Sequence, residues 1–489
     1  MLFNSYLFIL LFVPIVVAGY FMLGRLGSTK IGLSWLIACS LFFYGYYNPA
    51  YLALLGISVL ANYGVGRLLS GEGVAPKTRF RLASGGVVFN LALLGYYKYA
   101  NFFVENINVV FGSDFVLEKL LLPLAISFFT FQQLAYVVDS YQGKTRRYGF
   151  VEYTFFVTFF PQLIAGPIVR HEEMMPQLKK NILQLNPTNL ASGTSLFCIG
   201  LFKKVIFADQ VARYVQPVYD GLGGADPGFT AAWLATFAYS LQLYFDFSGY
   251  SDMASGLARI FNLTLPQNFD SPYRAESPTS FWRRWHCTLS AFLKQYLYFP
   301  LGGNRKGETR TNINLFLTML LGGLWHGAGW GYIIWGALNG VLLLGQKAWS
   351  KTVGKRLGVE PSRFRIELSI TTTFFLIMLT RIFFRAESWD GSMSMLRALL
   401  GMGGVDVVES APGLFPGIAM AVGLYLVARL APNSMQIMAD VAPVLGKIRP
   451  GPRWLRWRPN GTFAVVVFGM FVICIVNLAE VSEFLYFQF

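Results

Sequence analysis

Long apolar segments recur along the whole chain and constrain its fold more than any other feature. Hydrophobic residues make up 54% of the 489 residues and charged residues only 13%, whereas an average soluble domain carries about 25% charged residues. A water-soluble fold of this size cannot bury so many apolar side chains, because much of any globule remains surface. Disorder is excluded too, since it requires low hydrophobicity. The composition therefore predicts an all-α polytopic membrane protein.

The apolar segments have the length expected of membrane helices, about 20 residues each. Ten strong candidates are 7–23, 31–47, 51–69, 82–97, 120–138, 229–247, 330–344, 366–384, 414–430 and 463–478. Three weaker candidates are 155–169, 190–211 and 313–324. Segment 155–169 is predicted to be re-entrant, because Pro161, Gly166 and Pro167 interrupt it and broken backbone at membrane depth needs cover from protein or water. We expect about 11–13 membrane helices in a single membrane-embedded domain, 1–489.

The basic residues indicate the orientation of these helices. With the N-terminus placed outside, the loops assigned to the inside carry 28 Lys and Arg, and those assigned to the outside carry 5. This asymmetry follows the positive-inside rule and predicts both termini outside. The net charge of +15 is spread over six inside loops, which argues against nucleic acid as a partner and for anionic lipid head groups.

Segment 262–311 is the longest polar stretch, and it mixes aromatic with basic residues. That pattern is typical of amphipathic helices lying at the cytoplasmic interface of a membrane. The four cysteines are far apart in sequence, and the three histidines are His171, His286 and His326. These spacings predict neither a disulfide framework nor a metal site.

His326 is the first candidate for chemistry. It lies in the segment Gly-Gly-Leu-Trp-His-Gly-Ala-Gly-Trp, residues 322–330, between two apolar segments. An ionisable side chain at membrane depth is a functional-site hypothesis by default, and the surrounding glycines allow a substrate to approach the imidazole closely. A structural histidine bridging two helices explains the spacing equally well.

His286 ends the second candidate segment, Phe-Trp-Arg-Arg-Trp-His, residues 281–286. We expect Trp282 to His286 to form one and a half turns of helix. Arg283 and Arg284 are then candidates for holding the phosphates of a donor. The alternative is an interfacial belt of aromatic and basic residues, which needs no binding site; the spacing alone favours this belt.

Three further ionisable residues, Asp246, Asp139 and His171, are also considered for a role. Asp246, and Asp139 at a similar position, are candidates for a buried carboxylate or for a helix cap at the membrane edge. His171 stands between Arg170 and two glutamates and is predicted to be a solvated loop residue.

Six motifs occur in a specific order along the chain. They are Pro-Leu-Ala-Ile-Ser-Phe-Phe-Thr-Phe-Gln at 123–132, Phe-Phe-Pro-Gln-Leu-Ile-Ala-Gly-Pro-Ile at 159–168, Phe-Asp-Phe-Ser-Gly-Tyr-Ser-Asp at 245–252, residues 281–286, Tyr-Phe-Pro-Leu-Gly-Gly-Asn-Arg at 298–305 and Gly-Gly-Leu-Trp-His-Gly at 322–327. Together they resemble the membrane-bound O-acyltransferase family in its bacterial alginate O-acetyltransferase branch. The resemblance extends to the C-terminal Tyr-Phe-Gln-Phe at 486–489.

The resemblance implies both a fold and a function. The expected fold is a ring of membrane helices around a thin centre with a tunnel. The expected activity takes acetyl from a cytoplasmic thioester, acetyl-CoA or another acetyl thioester, for O-acetylation of an exopolysaccharide of the alginate or cellulose kind. No tightly bound cofactor is expected. A separate periplasmic or extracellular acetyltransferase often completes the transfer.

Carried over by motif, His326 matches the essential histidine of the family, and His286 a second histidine common in the branch. His326 is expected to take the hydroxyl proton as a general base or to form an acyl-histidine. The chain departs from the branch at Cys287, Gln295 and Asn339, which puts the acceptor and the partner contacts in doubt. A polysaccharide transporter or a scaffold without acyl transfer is the alternative; a transporter would show two repeated halves, which the sequence lacks.

Overall fold

The computed structural model of the protein describes residues 1–118, 120–179, 182–222, 226–354, 362–402, 413–478 and 484–485. The regular elements of the described residues are all helices, apart from a single isolated β-bridge between Pro266 and Leu445. This confirms the predicted all-α class. The C-terminal motif at 486–489 lies outside the described residues.

The described α-helices are numbered in chain order. They are α1 (Val13–Gly24), α2 (Thr29–Gly45), α3 (Ala50–Leu69), α4 (Pro76–Leu94), α5 (Ala100–Phe111), α6 (Ile126–Tyr141), α7 (Phe150–Thr158), α8 (Phe160–Leu163), α9 (His171–Met174), α10 (Pro187–Phe202), α11 (Asp209–Ala212), α12 (Gln216–Asp220), α13 (Phe229–Ile260), α14 (Pro278–Arg284), α15 (Cys287–Leu293), α16 (Gly307–His326), α17 (Trp330–Trp349), α18 (Arg363–Arg385), α19 (Trp389–Leu399), α20 (Leu414–Leu430), α21 (Ser434–Ile437) and α22 (Gly461–Val476). Turns of π-helix extend several of them, as at Leu7–Phe12 before α1 and Lys203–Ala208 after α10.

Several helices are apolar enough to cross a membrane. Four stretches qualify by both length and hydropathy: Leu7–Gly24, Ala50–Leu69, Pro187–Ala212 and Arg363–Arg385. Three shorter apolar helices are α2, α20 and α22. Each of these coincides with a predicted span, because an apolar segment can satisfy its backbone inside a bilayer only as a helix.

One predicted span differs in detail from the structure, and the predicted break in another is present. Helix α6 begins only at Ile126, and its preceding residue Ala125 has a left-handed backbone, so the span expected at 120–138 starts later and runs to Tyr141. Segment 155–169 is broken as predicted: α7 ends at Thr158, Phe159 is extended, and α8 lasts only from Phe160 to Leu163. The whole broken segment is buried, so protein covers its backbone.

The chain forms two compact units. Unit 1 comprises residues 1–201, 250–267 and 438–488, and unit 2 comprises 202–249 and 268–437. The core of unit 1 includes an aromatic cluster in which Phe160 packs against Phe12 and Phe43, with ring centroids 5.4 and 5.6 Å apart. His326 and the residues around it belong to unit 2.

Helices α16 and α17 of unit 2 approach each other closely and fix the position of His326. A Cβ atom on Gly323 would lie 2.3 Å from the carbonyl oxygen of Tyr332, and one on Gly336 would lie 2.6 Å from that of Met319. Only glycine fits at such a backbone contact. The two helices are joined by the three residues 327–329, so His326 stands at the point where the chain leaves α16.

Candidate active site

His326 is the last residue of α16 and is buried, with 4% of its surface exposed. Three aromatic rings surround its imidazole. The ring centroids of Trp325, Trp335 and Phe384 lie 4.8, 5.1 and 5.3 Å away, and the Trp335 ring is perpendicular to the imidazole. Such edge-to-face packing holds a ring in one orientation.

A cavity of about 800 Å³ reaches His326 from the opposite end of α16. One face of the helix lines it, from Glu308 through Thr311, Leu315, Met319 and Gly322 to His326. At 1.5 Å per residue, that face is about 27 Å long. The cavity is therefore deep enough to lead an extended ligand from a charged mouth to the buried imidazole.

The mouth of the cavity carries basic side chains. Arg283, Lys294 and Lys347 are among its lining residues. Glu308 is the one acidic residue of that lining, and its carboxylate contacts Lys351 at 2.7 Å and Lys347 at 4.0 Å. These lysines hold the pKa of the exposed Glu308 carboxyl below its usual value, through a hydrogen bond from Lys351 first and charge second. The net charge at the mouth favours an anionic ligand group.

His286 lies in a different position from the one predicted. Helix α14 ends at Arg284, Trp285 is extended, and His286 has a left-handed backbone with φ of 44°. The predicted helix from Trp282 to His286 is therefore wrong, because the chain turns at Trp285 and His286 to begin α15.

The imidazole of His286 is fully buried and its orientation is fixed. Nδ1 lies 3.0 Å from Oδ1 of Asn268, which also accepts a hydrogen bond from the Thr288 hydroxyl at 2.8 Å. Because an amide oxygen only accepts, the Nδ1 atom carries the proton and Nε2 has the lone pair. Burial lowers the pKa of His286 from 6.5 to about 3, so the ring is neutral at physiological pH.

Trp325 contacts both histidines. Its ring centroid lies 4.8 Å from that of His326 and 6.4 Å from that of His286. His286 also packs edge-on against Phe247 at 4.8 Å. The two histidines that the motifs single out are thus brought to the same aromatic cluster of unit 2, although only His326 lines the cavity.

The two neighbouring arginines have different surroundings. Arg283 is exposed and lines the cavity. The guanidinium of Arg284 donates to the Asp270 carbonyl at 3.2 Å and to the Ser280 hydroxyl at 3.3 Å, and it is absent from the cavity lining. The structure therefore brings Arg283, but not Arg284, into the wall of the cavity.

Asp246 and Asp139 are buried carboxylates, not helix caps. Asp246 lies in the middle of α13, where Lys204 contacts it at 2.6 Å. In unit 1, Asp139 lies 3.0 Å from Nε2 of His171, and the Tyr148 hydroxyl lies 3.2 Å from Nδ1. His171 is 2% exposed, so the prediction that it is a solvated loop residue is wrong. That prediction rested on the charged residues next to His171 in the sequence, whereas its buried partner Asp139 lies on the distant helix α6.

Arg381 was not among the residues that the sequence singled out. This side chain is 3% exposed and stacks on the ring of Trp285, with the guanidinium carbon 4.6 Å from the ring centroid. A charged residue inside the predicted span 366–384 was the available signal, since such residues are rare and functional in membrane helices. No group of three or more His, Cys, Asp or Glu suited to a metal occurs among the described residues.

Comparisons with known proteins agree with the motifs. The model of the membrane-bound O-acyltransferase (MBOAT) family matches residues 113–386. The chain is 44% identical to a peptidoglycan O-acetyltransferase of Helicobacter pylori over 83% of this chain and 81% of the relative. It is 37% identical to a probable alginate O-acetylase of Pseudomonas putida over the full length of both, and 39% identical to one of Azotobacter vinelandii over 82% of this chain and 79% of the relative.

Proposed function

The chain belongs to the membrane-bound O-acyltransferase family and is an O-acyltransferase, and from this premise we propose that it moves acetyl from a cytoplasmic thioester to an acceptor hydroxyl outside. The observation that carries this proposal is the cavity that runs along α16 from a basic mouth to His326. The mouth residues fall in loops 248–312 and 345–365, which the charge distribution assigns to the inside.

His326 acts as the general base. A hydroxyl is a poor nucleophile at neutral pH, so the imidazole takes its proton as the oxygen attacks the acetyl carbon. The C–S bond then breaks, and the thiolate leaves with a proton from the imidazolium. A positioned base of this kind contributes roughly 10²–10⁴ in rate. Delivery of both substrates to one imidazole adds the advantage of proximity.

His286 supports this chemistry as a neutral, oriented imidazole. Asn268 and Thr288 fix its ring. The ring of Trp325 contacts both His286 and His326. In this proposal His286 orients the aromatic cluster beside His326 and takes no proton, because burial keeps the ring uncharged.

The donor is acetyl-CoA or another acetyl thioester, held as a substrate and not as a resident cofactor. Its phosphate-bearing part suits the basic mouth, where Arg283, Lys294 and Lys347 offer charge-assisted hydrogen bonds. Arg284 contributes indirectly. Its guanidinium donates a hydrogen bond to the Asp270 carbonyl and so holds that backbone next to α14. The acetyl group then reaches His326 along the apolar part of the cavity.

The acceptor is an exopolysaccharide or a periplasmic or extracellular acetyltransferase that passes the group on. The names of the relatives give alginate and peptidoglycan, which supports a carbohydrate acceptor. The proposal puts that acceptor outside the bacterial cytoplasmic membrane. The predicted topology, with both termini outside, places donor and acceptor on opposite sides. The family to which the chain belongs favours acyl transfer over a transporter or a scaffold.

Oriented vesicles test the sidedness. Protein is reconstituted, and its orientation is read by impermeant thiol labelling of a cysteine placed at Lys351 or, in a second variant, at Asp114, with the native cysteines replaced. We expect acetyl-CoA to be consumed only when supplied on the Lys351 side. Consumption from the Asp114 side alone would overturn the proposal. A cysteine at Lys355 would serve equally, but that residue lies outside the described residues.

A further inference from the structure

Helices α1 and α2 of unit 1 follow each other in the chain and contact each other through aromatic side chains at two levels. At one level, Nε1 of Trp35 donates to the Val16 carbonyl at 3.0 Å. At the other, the rings of Phe12 and Phe42 stack with their centroids 6.2 Å apart. Trp35 and Phe42 are seven residues apart on α2, so about two helical turns separate the two contacts.

A groove of about 370 Å³ lies between these two levels. Small side chains open it, because Ala38 and Cys39 stand one turn after Trp35 on the same face of α2. Phe42 follows one turn later. The opposite wall comes from α1 and the π-helical turn before it: Leu7, Leu11, Phe12, Ile15 and Val16. The groove therefore results from small residues set between two large aromatic ones.

The lining of the groove is almost pure hydrocarbon. Among the described lining residues, only Trp35 has a side chain with a nitrogen or an oxygen atom, and that nitrogen already donates to Val16. A polar ligand would lose its hydrogen bonds to water here without gaining others. The lining therefore selects an apolar chain.

The groove opens towards the apolar interior of the membrane. Its α1 wall belongs to the stretch Leu7–Gly24, which is long and apolar enough to span a bilayer, and α2 is a shorter apolar helix. Leu11, Ile15 and Phe42 at the groove are 53, 51 and 59% exposed. Inside a bilayer, such side chains contact lipid tails. Hydrocarbon is therefore the material available to fill the groove.

We propose that this groove is a binding site for one acyl chain of a membrane phospholipid. A carbon of such a chain occupies about the volume of a water molecule, so at about 30 Å³ each the groove holds roughly 12 carbons. The wall from Leu7 to Val16 is roughly 14 Å long, and an extended chain of that many carbons has a similar length. The inference concerns unit 1 and is independent of the proposed function.

The competing interpretation is ordinary contact with fluid lipid, as on α22, where Val465 and Phe468 are 72 and 67% exposed. A chain that moves from fluid lipid into the groove gains no hydrophobic energy, because both surroundings are apolar. It gains close van der Waals contact on several sides. The aromatic contacts at both levels keep the groove open, so an unfilled groove would forfeit that contact. A bound chain therefore differs from fluid lipid in occupancy, which can be measured.

The experiment uses the full-length protein in vesicles of phosphatidylethanolamine and phosphatidylglycerol. A small fraction of a phosphatidylcholine probe carries a photoreactive diazirine midway along one acyl chain. After irradiation, mass spectrometry maps the labelled residues. At low probe fraction, we expect labelling of residues 7–16 and 35–42 to exceed that of 461–476 about tenfold. Labelling of the groove should saturate as the probe fraction rises, whereas labelling of α22 should rise in proportion.

A matched pair of variants tests the groove itself. Ala38→Phe places a ring in the groove and should lower its labelling about tenfold. Ala92→Phe adds the same ring at an exposed position of α4 that is absent from the groove lining, and it should leave the labelling unchanged. Melting temperatures report the folding of both variants. If Ala38→Phe proves unstable, the saturation measured in wild type decides.

Three results would overturn the site. They are equal labelling of the groove and α22, groove labelling that rises without saturation, and equal groove labelling in wild type and a folded Ala38→Phe. Each would leave only ordinary lipid contact at α1 and α2. None of them concerns His326, so this inference and the proposed function stand or fall separately.

Discussion

The imidazole of His326 meets the indole of Trp335 edge-on, with ring centroids 5.1 Å apart and planes at 90°. Both side chains line the cavity that we propose for the donor, and the edge-on contact fixes the direction in which the imidazole faces that cavity. The contact joins the end of α16 to the first turns of α17.

The Trp335 contact leads to the first prediction. Trp335→Ala should lower kcat at least tenfold, because a misoriented base loses much of its effect, while the KM for the donor changes little. Trp335→Phe keeps an aromatic edge and should restore most of the rate. Steady-state kinetics of both variants with acetyl-CoA provide the check. A loss confined to KM would show that Trp335 binds the donor and does not position His326.

The adjacent arginines provide a matched pair for the donor mouth. Arg283→Gln should raise the KM for the donor about tenfold at low salt, and less at high salt because ions screen an exposed charge. Arg284→Gln should have a much smaller effect, since its guanidinium is held by Asp270 and Ser280. Equal effects of the two substitutions, or no effect of either in detergent, would favour a lipid-anchoring role for both.

Close helix packing gives a prediction for stability. Gly323→Ala should destabilise the protein by about 1–3 kcal/mol, because its new methyl group has no space beside the Tyr332 backbone. Gly345→Ala on α17 is the control, since a Cβ there meets nothing within 4 Å and alanine favours a helix by about 1 kcal/mol. Melting temperatures in one detergent should therefore fall for the first and hold or rise for the second. A melting temperature of Gly323→Ala that holds or rises, as expected for Gly345→Ala, would refute the close contact.

The lowered pKa of the buried His286 should make the stability of the protein depend on pH. The folded protein keeps this ring neutral down to its pKa of about 3, whereas the unfolded chain binds a proton below about pH 6.5. The unfolded state therefore holds more protons between these values, and the stability that His286 contributes is complete above pH 6.5 and is lost as pH falls. The melting temperature of His286→Gln should decline less steeply than wild type from pH 6.5 to 4.5. Parallel declines would contradict a neutral buried His286.

Much of this arrangement was accessible from the sequence, for reasons that are local. Apolar length predicted the helices. The glycines near His326 were interpreted as room for a substrate, whereas Gly323 lies at the contact between α16 and α17. The helix break at Trp285 and His286 was not predictable, because the Asn268 amide that holds His286 is 18 residues away. His171 was mistaken for the same reason, since its partner Asp139 is 32 residues away.

The charged residues show most clearly what the sequence alone could not predict. Arg283 and Arg284 are identical in type and adjacent in sequence, yet one faces the cavity and the other faces Asp270. Their difference follows from the direction of each side chain at the end of α14, which a motif does not encode. Arg381 carried a readable signal, a charge within an apolar span, but its neutral surroundings emerge only from the fold.

The central claim is that His326 is the base for acetyl transfer. Release of free thiol from acetyl-CoA by the purified protein measures it most directly, with wild type and His326→Ala compared at equal concentration and with retained melting temperatures. We expect the variant to lose at least about 10²-fold in rate. A folded His326→Ala protein that releases thiol at the wild-type rate would contradict the account.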